Sequence, residues 1–247
     1  MIKLKDILLG SDKLNILIPR RNKEERQKNY QIVIQKKIQK IQKDIQEYIK
    51  NGSKGNLDLE NTPIQALPDN LTVGGSLYLS NTPIQRLPNN LTVGFSLDLS
   101  NTPIKTLPDN LTKVGGNLDL SNTPIKTLPD NLSVGGSLNL MSTQIQVLPN
   151  NLSVGKGLDL TNTQIQVLPD NLSVGGSLYL RNTPIQVLPD NLSVGGNLYL
   201  TNTPIQALPD NLTVGVSLDL RNTPLAKKYT KEQLKQMLPG VKGNIYI

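Results

Sequence analysis

The sequence predicts a β-rich solenoid: a ten-rung parallel sheet made of short repeats, with an N-terminal cap helix and a short helix near the C-terminus. Three observations predict it. Leu-x-Leu pairs recur at Leu57/Leu59, Leu77/Leu79, Leu97/Leu99, Leu118/Leu120, Leu138/Leu140, Leu158/Leu160, Leu178/Leu180, Leu198/Leu200 and Leu218/Leu220, and Ile245/Ile247 repeats the form. The step is twenty residues, one longer where Lys113 is added and longer again across the C-terminal segment. The apolar residues are aliphatic, with one Phe (Phe95), no Trp and seven Tyr. A unit this short cannot bury its own apolar side chains, whereas stacked units form continuous Leu and Ile columns.

Residues 1–50 are a basic extension. Its start, MIKLKDILLGSDKLNILIPRR, interrupts the apolar residues with Lys3, Lys5, Asp6, Asp12 and Lys13, so a continuous signal-peptide core is absent. No segment reaches the length of a membrane span, and the expected location is cytoplasmic or virion-associated. Ile34, Ile38, Ile41, Ile45 and Tyr48 then recur at steps of four and three, one stripe of a helix that Asn51-Gly52 ends. The expected role is a cap on the first coil, whose apolar end needs cover. Two alternatives stay open: contact of the Lys- and Gln-rich face with a membrane or nucleic acid, and coiled-coil pairing.

Residues 51–224 are the solenoid. Eight units carry L-x-L-x-N-T-P-I-x-x-L-P-D-N-L-T/S-V-G-G-S/N, with Gln for Pro at 144 and 164 and Ser142 for Asn. In SLYLS the alternation sends the Leu pair inward and Ser76, Tyr78 and Ser80 outward. Thr62 and its equivalents end each strand, where the hydroxyl is placed to bond the backbone of the next coil. Pro in TPI and LPD marks bends that need no N–H, and the Asp or Asn after the second Pro suits a turn closed on its own backbone. NLTV reads as a second, weaker strand on the back, and Gly74 and its equivalents let the chain swing into the next front strand. Ten rungs at about 4.8 Å give a front sheet of roughly 48 Å.

Residues 225–247 form the C-terminal cap. Thr230 opens a short helix in YTKEQLKQMLPG that stops before Pro239, and VKGNIYI copies VGGNLYL to add the tenth rung. Lys54 and Lys242 stand at the terminal rungs where the interior mostly has Gly, which blunts both edges against further stacking.

The stretch GSLYLSNTPIQRLPNNL resembles the leucine-rich repeat pattern L-x-L-x-x-(N/T/C)-x-L-x-x-L-P-x-x-L, with Thr in the slot usually held by Asn. The resemblance covers residues 55–224 and is closest to the short-period repeats of bacterial and tailed-phage proteins. Gly replaces the usual first Leu and the coil is short, departures that favour a flat rod over a deep horseshoe. The resemblance implies a recognition scaffold, and as an alternative a structural component of a phage particle.

Composition excludes much chemistry. With no Cys and no His, thiol catalysis, imidazole-based triads and zinc sites with Cys or His ligands are absent. Residues 1–55 carry 14 Lys/Arg against 6 Asp/Glu, residues 56–224 carry 7 against 12, and residues 225–247 carry 5 against 1. The overall charge of +7 therefore belongs to the ends, and the repeat body is mildly acidic.

Function is sought in the positions the frame leaves free. The central outward column reads Asp58, Tyr78, Asp98, Asp119, Asn139, Asp159, Tyr179, Tyr199, Asp219, Tyr246. Two residues later Arg181 and Arg221 interrupt a column of small or polar residues. Tyr and Arg are enriched at interface hot spots, so Tyr179, Tyr199, Arg181, Arg221, Tyr78 and Tyr246 are the candidate binding residues. Against that stands a purely structural reading, in which cross-strand Tyr pairs stiffen the sheet by about 0.2–1 kcal/mol. Asp98 beside Asp119 is a like-charge pair costing about 0.8 kcal/mol in water, and calcium or a polysaccharide-active enzyme would be built there. The glycine-rich units lack a Gly-x-Asp core, and no rung breaks the pattern to build a cleft. The expectation is therefore a non-enzymatic scaffold with no metal, no cofactor and no small-molecule substrate, whose strand face binds an unidentified protein.

Overall fold

A computed structural model describes residues 23–247, so the start of the basic extension lies outside the described residues. The chain divides into two compact units within the first helix, after Asp44. That helix, α1, runs Lys23–Lys50. Its Ile stripe is the covered face, with Ile41 and Ile45 buried and Ile34, Ile38 and Tyr48 half-buried among exposed Lys and Gln. Gly52, at φ 83°, turns the chain out of α1, while Ser53 N–H donates back to Tyr48 O at 3.0 Å. The Tyr48 hydroxyl lies 2.8 Å from Ser53 O and 2.9 Å from Gly55 O, tying the last turn of the helix to the entry of the solenoid.

The second unit, Ile45–Ile247, is the leucine-rich-repeat-like β-solenoid. Its front is a ten-stranded parallel sheet of Leu57–Asp58, Leu77–Tyr78, Leu97–Asp98, Leu118–Asp119, Leu138–Asn139, Leu158–Asp159, Leu178–Tyr179, Leu198–Tyr199, Leu218–Asp219 and Ile245–Tyr246, numbered here as rungs 1 to 10. Leu pairs with Leu from rung to rung, so every Leu-x-Leu pair enters the same column. Leu77, Leu99, Leu138, Leu140 and Leu178 are fully enclosed, as are Ile84 and Ile145. On the back, Thr72–Val73 pairs with Thr92–Val93, and a six-stranded sheet runs from Lys113–Val114 to Thr213–Val214. The back sheet breaks where Lys113 lengthens the coil.

Several local expectations are corrected. The strand-ending Thr does not reach the next coil: its hydroxyl donates to the Leu carbonyl three residues back in its own coil, as in Thr62 Oγ1 to Leu59 O at 2.7 Å and Thr163 Oγ1 to Leu160 O at 2.7 Å. The link between coils is the preceding Asn. Asn182 N–H donates to Thr201 O, and the Asn162, Asn182, Asn202 and Asn222 amides form a ladder at 2.8, 2.8 and 3.0 Å. These Asn have φ between 56° and 59°, the left-handed region that Asn tolerates better than other non-glycine residues.

The turn after LP is closed by the backbone rather than by the Asp side chain, with Leu172 N–H on Pro169 O at 3.1 Å. Asp69 instead accepts the Asn89 N–H of the next coil. Gly74 and its equivalents are needed for space and not for a left-handed turn, since a Cβ on Gly94 would overlap the carbonyl oxygen of Gly74. Ser76 and Ser80, expected to face outward, are buried, and Ser76 Oγ accepts the Ser96 N–H of the next coil at 3.2 Å.

At the C-terminal end α3, Lys231–Met237, starts on Thr230 with a reciprocal capping box to Gln233. An unforeseen helix, α2, spans Pro224–Lys228, capped by Thr223. Here the Thr-Pro that elsewhere opens a bend serves as N-cap and first helical residue. Ile245–Tyr246 pairs with Leu218–Asp219 as expected.

Candidate functional site on the strand face

The central outward column divides by residue type. Wherever Asp or Asn occupies it, the side chain folds back to accept the backbone N–H two residues on: Asp98 from Ser100, Asp119 from Ser121 and Asp159 from Thr161, each at 2.9 Å. This turn made by the side chain is a structural reason for the periodic Asp. Asp98 and Asp119 are in register, and Asn139 Nδ2 donates to the outer oxygen of Asp119 at 3.1 Å. Among the described residues no group of three or more His, Cys, Asp or Glu is placed to hold a metal ion.

Tyr cannot make that turn, so at rungs 7 and 8 the column does something else. Tyr179 and Tyr199 are paired in register and stack with centroids 4.7 Å apart and planes 13° apart. The guanidinium of Arg181 lies 4.1 Å from the Tyr199 centroid and 5.9 Å from that of Tyr179. On rung 9 Asp219 is only 3% exposed. It accepts Arg221 Nε at 2.9 Å and Nη2 at 2.7 Å, and Arg181 Nη2 stands 3.9 Å from its second oxygen. Burial alone would raise the Asp219 pKa, but the hydrogen bonds from Arg221 outweigh it and hold the carboxyl below its ordinary value. Asp219 thus stays ionised and keeps both arginines in place.

The six candidate residues are therefore not one site. Tyr179, Tyr199, Arg181 and Arg221 converge, joined by Asp219, which sequence reasoning passed over as another frame position. Its signal is the Asp-x-Arg pair on rung 9, the one place where the turn-forming Asp is followed by Arg. Tyr246 is on rung 10, in register with Asp219 and 46% exposed. Tyr78 stands apart on rung 2 between Asp58 and Asp98.

One rung departs from the residue pattern of the others. Gly157 occupies a column otherwise filled by Ser and Asn, and beside it the face sinks into a depression of about 410 Å³ lined by Ser137, Leu138, Asn139, Gly157, Asp159, Ser177 and Tyr179. On another side of the coils Val147, Val167 and Val187 form an exposed ridge, with Gln146, Gln164 and Gln166 lining a groove between two of its coils. The signal in sequence is Gln-Val-Leu-Pro in three consecutive units.

Neither a protein-family profile nor a curated protein matches the chain. A solved leucine-rich-repeat protein of Leptospira interrogans is similar at 19% identity over 76% of this chain and 83% of its own, with a TM-score of 0.27. Among the described residues no helix is long and apolar enough to cross a membrane.

Proposed function

We propose that this chain is a non-enzymatic recognition scaffold that docks another protein on its strand face, with Tyr179, Tyr199 and Arg181 as anchors. The observation that carries the reading is the stack of two Tyr rings with Arg181 laid over it and held by the buried Asp219. Aromatic rings and Arg are the side chains whose burial dominates interface energetics, and rigid positioning lowers the entropy lost on docking. Here a sheet of paired strands supplies that rigidity. Most of the remaining column offers Asp or Asn turned into its own backbone, a poorer contact surface, and its other two Tyr, Tyr78 and Tyr246, have no Tyr on a neighbouring rung. Arg221 acts through Asp219, as the residue that keeps the carboxylate charged beside Arg181.

The test is a pull-down from the native source with the wild type and with Tyr179→Ala/Tyr199→Ala. A partner retained by the first and lost by the second is the expected result; equal recovery rejects the Tyr pair as the anchor.

A further inference from the structure

Gly157 has no structural reason to be glycine. Most glycines of the coils are forced, since a Cβ on Gly155 would overlap the carbonyl of Gly135. At Gly157 a Cβ would meet only ordinary contacts, 3.4 Å from Ser177 O, 3.5 Å from Ser137 Oγ and 4.0 Å from Tyr179 Cε2, and its φ is not in the left-handed region. Glycine also forfeits a bond there. In other coils the side chain of this column accepts the backbone N–H of the next coil, as Ser137 Oγ does from Gly157 at 3.2 Å and Ser177 Oγ does from Asn197 at 3.0 Å. A position that breaks a local rule with no compensating contact points to function, and a strand glycine often marks the close approach of a ligand. What this glycine supplies is the depression.

We propose that the Gly157 depression is a subsite for one sugar ring of a glycan. The walls supply what a polyhydroxylated ring requires. Tyr179 is clamped on one side by Tyr199 and borders Gly157 on the other, an aromatic surface for the C–H face of a pyranose. Asp159 uses Oδ1 in its own turn and leaves Oδ2 without a partner among the described residues, an acceptor for sugar hydroxyls. Ser137 and Ser177 each accept one backbone N–H and keep a hydroxyl proton to donate, and Asn139 Nδ2 donates one proton to Asp119 and keeps the other. About 410 Å³ is within the range of small-ligand sites, and the exposed strand face leaves a chain room to continue. A basic side chain fits less well: the hydroxyl donors would face an ammonium, and the exposed Lys156 next to Gly157 adds a like charge.

The test uses the full chain, a printed glycan array, and saturation-transfer NMR with the methyl glycosides of glucose, galactose, mannose and N-acetylglucosamine. Gly157→Ser restores the repeat residue and fills the depression while leaving both rings of the Tyr179–Tyr199 stack in place, so its outcome is separable from that of Tyr179→Ala/Tyr199→Ala, which tests the protein-docking reading. Asp159→Asn keeps the turn and removes the charge. The expected result is a saccharide that binds the wild type and binds both variants at least tenfold more weakly, with neither variant melting lower than the wild type. No binding across the array, equal binding by Gly157→Ser, or binding of a hexalysine peptide in place of any sugar overturns the proposal.

Discussion

The carboxylate of Asp219, buried at the edge of the Tyr stack, is gripped by Arg221 through two parallel hydrogen bonds, Nε to Oδ1 at 2.9 Å and Nη2 to Oδ2 at 2.7 Å. Burial raises its pKa, but the hydrogen bonds from Arg221 outweigh that and hold it below its ordinary value. Because the folded pKa is lowered, the stabilisation is present above the unfolded value of about 3.9 and is lost as pH falls through the folded value. Thermal melting of wild type and Asp219→Asn between pH 2 and 7 should therefore show the gap in favour of the wild type closing below about pH 4. A gap independent of pH would mean that the ion pair contributes nothing.

Gly155 and Gly157 are two residues apart and should respond oppositely. Gly155→Ala drives a Cβ into the Gly135 carbonyl and should cost about 1–3 kcal/mol or more, in line with overpacked sites. Gly157→Ser should be neutral or stabilising, since it regains the bond between coils. Differential scanning calorimetry of the two variants checks both, and a destabilised Gly157→Ser would return that glycine to the frame.

Ser142 holds the left-handed position, at φ 58°, that Asn fills in the other coils, and it stands between Asn122 and Asn162 where an amide would extend the ladder. Ser142→Asn should stabilise by about 0.5–1 kcal/mol, raising the melting temperature by roughly 1–4 °C. A lower melting temperature would show that the ladder is not limiting.

Leu138 is fully buried at the centre of the front column, with Leu118 and Leu158 as rung neighbours. Leu138→Ala should cost about 2–5 kcal/mol, because stacked coils held by their neighbours cannot collapse on the cavity. Chemical denaturation measures it, and a loss below about 1 kcal/mol would contradict the column.

What could be read from the sequence followed from period and polarity. Leu57, Leu77 and their equivalents fixed the front column because a twenty-residue step has only one stacking register, and the Ile34 to Tyr48 stripe marked the covered face of α1. Hydrogen-bond partners were harder, because a Thr hydroxyl and an Asn amide both suit a bend. Only the folded chain shows that Thr62 bonds backward while Asn182 bonds across. The Tyr179–Tyr199 pair was legible from adjacent rungs. Asp219 was not, because the same letter forms the repeat's turn at Asp98 and Asp159. Gly157 hid among glycines that sterics demand, and α2 hid behind a Thr-Pro identical to the one that opens most of the bends.

The central claim, that the Tyr179–Tyr199 stack anchors a protein partner, is tested most directly by titration calorimetry of the recovered partner against wild type, Tyr179→Ala/Tyr199→Ala and Tyr78→Ala. Asp occupies the same column in five other rungs, so the frame does not need the rings and all three proteins should melt alike. The account predicts that the double variant loses about 2 kcal/mol or more, roughly thirtyfold in Kd, while Tyr78→Ala on rung 2 stays within about twofold. Equal affinity for the double variant and the wild type would contradict it.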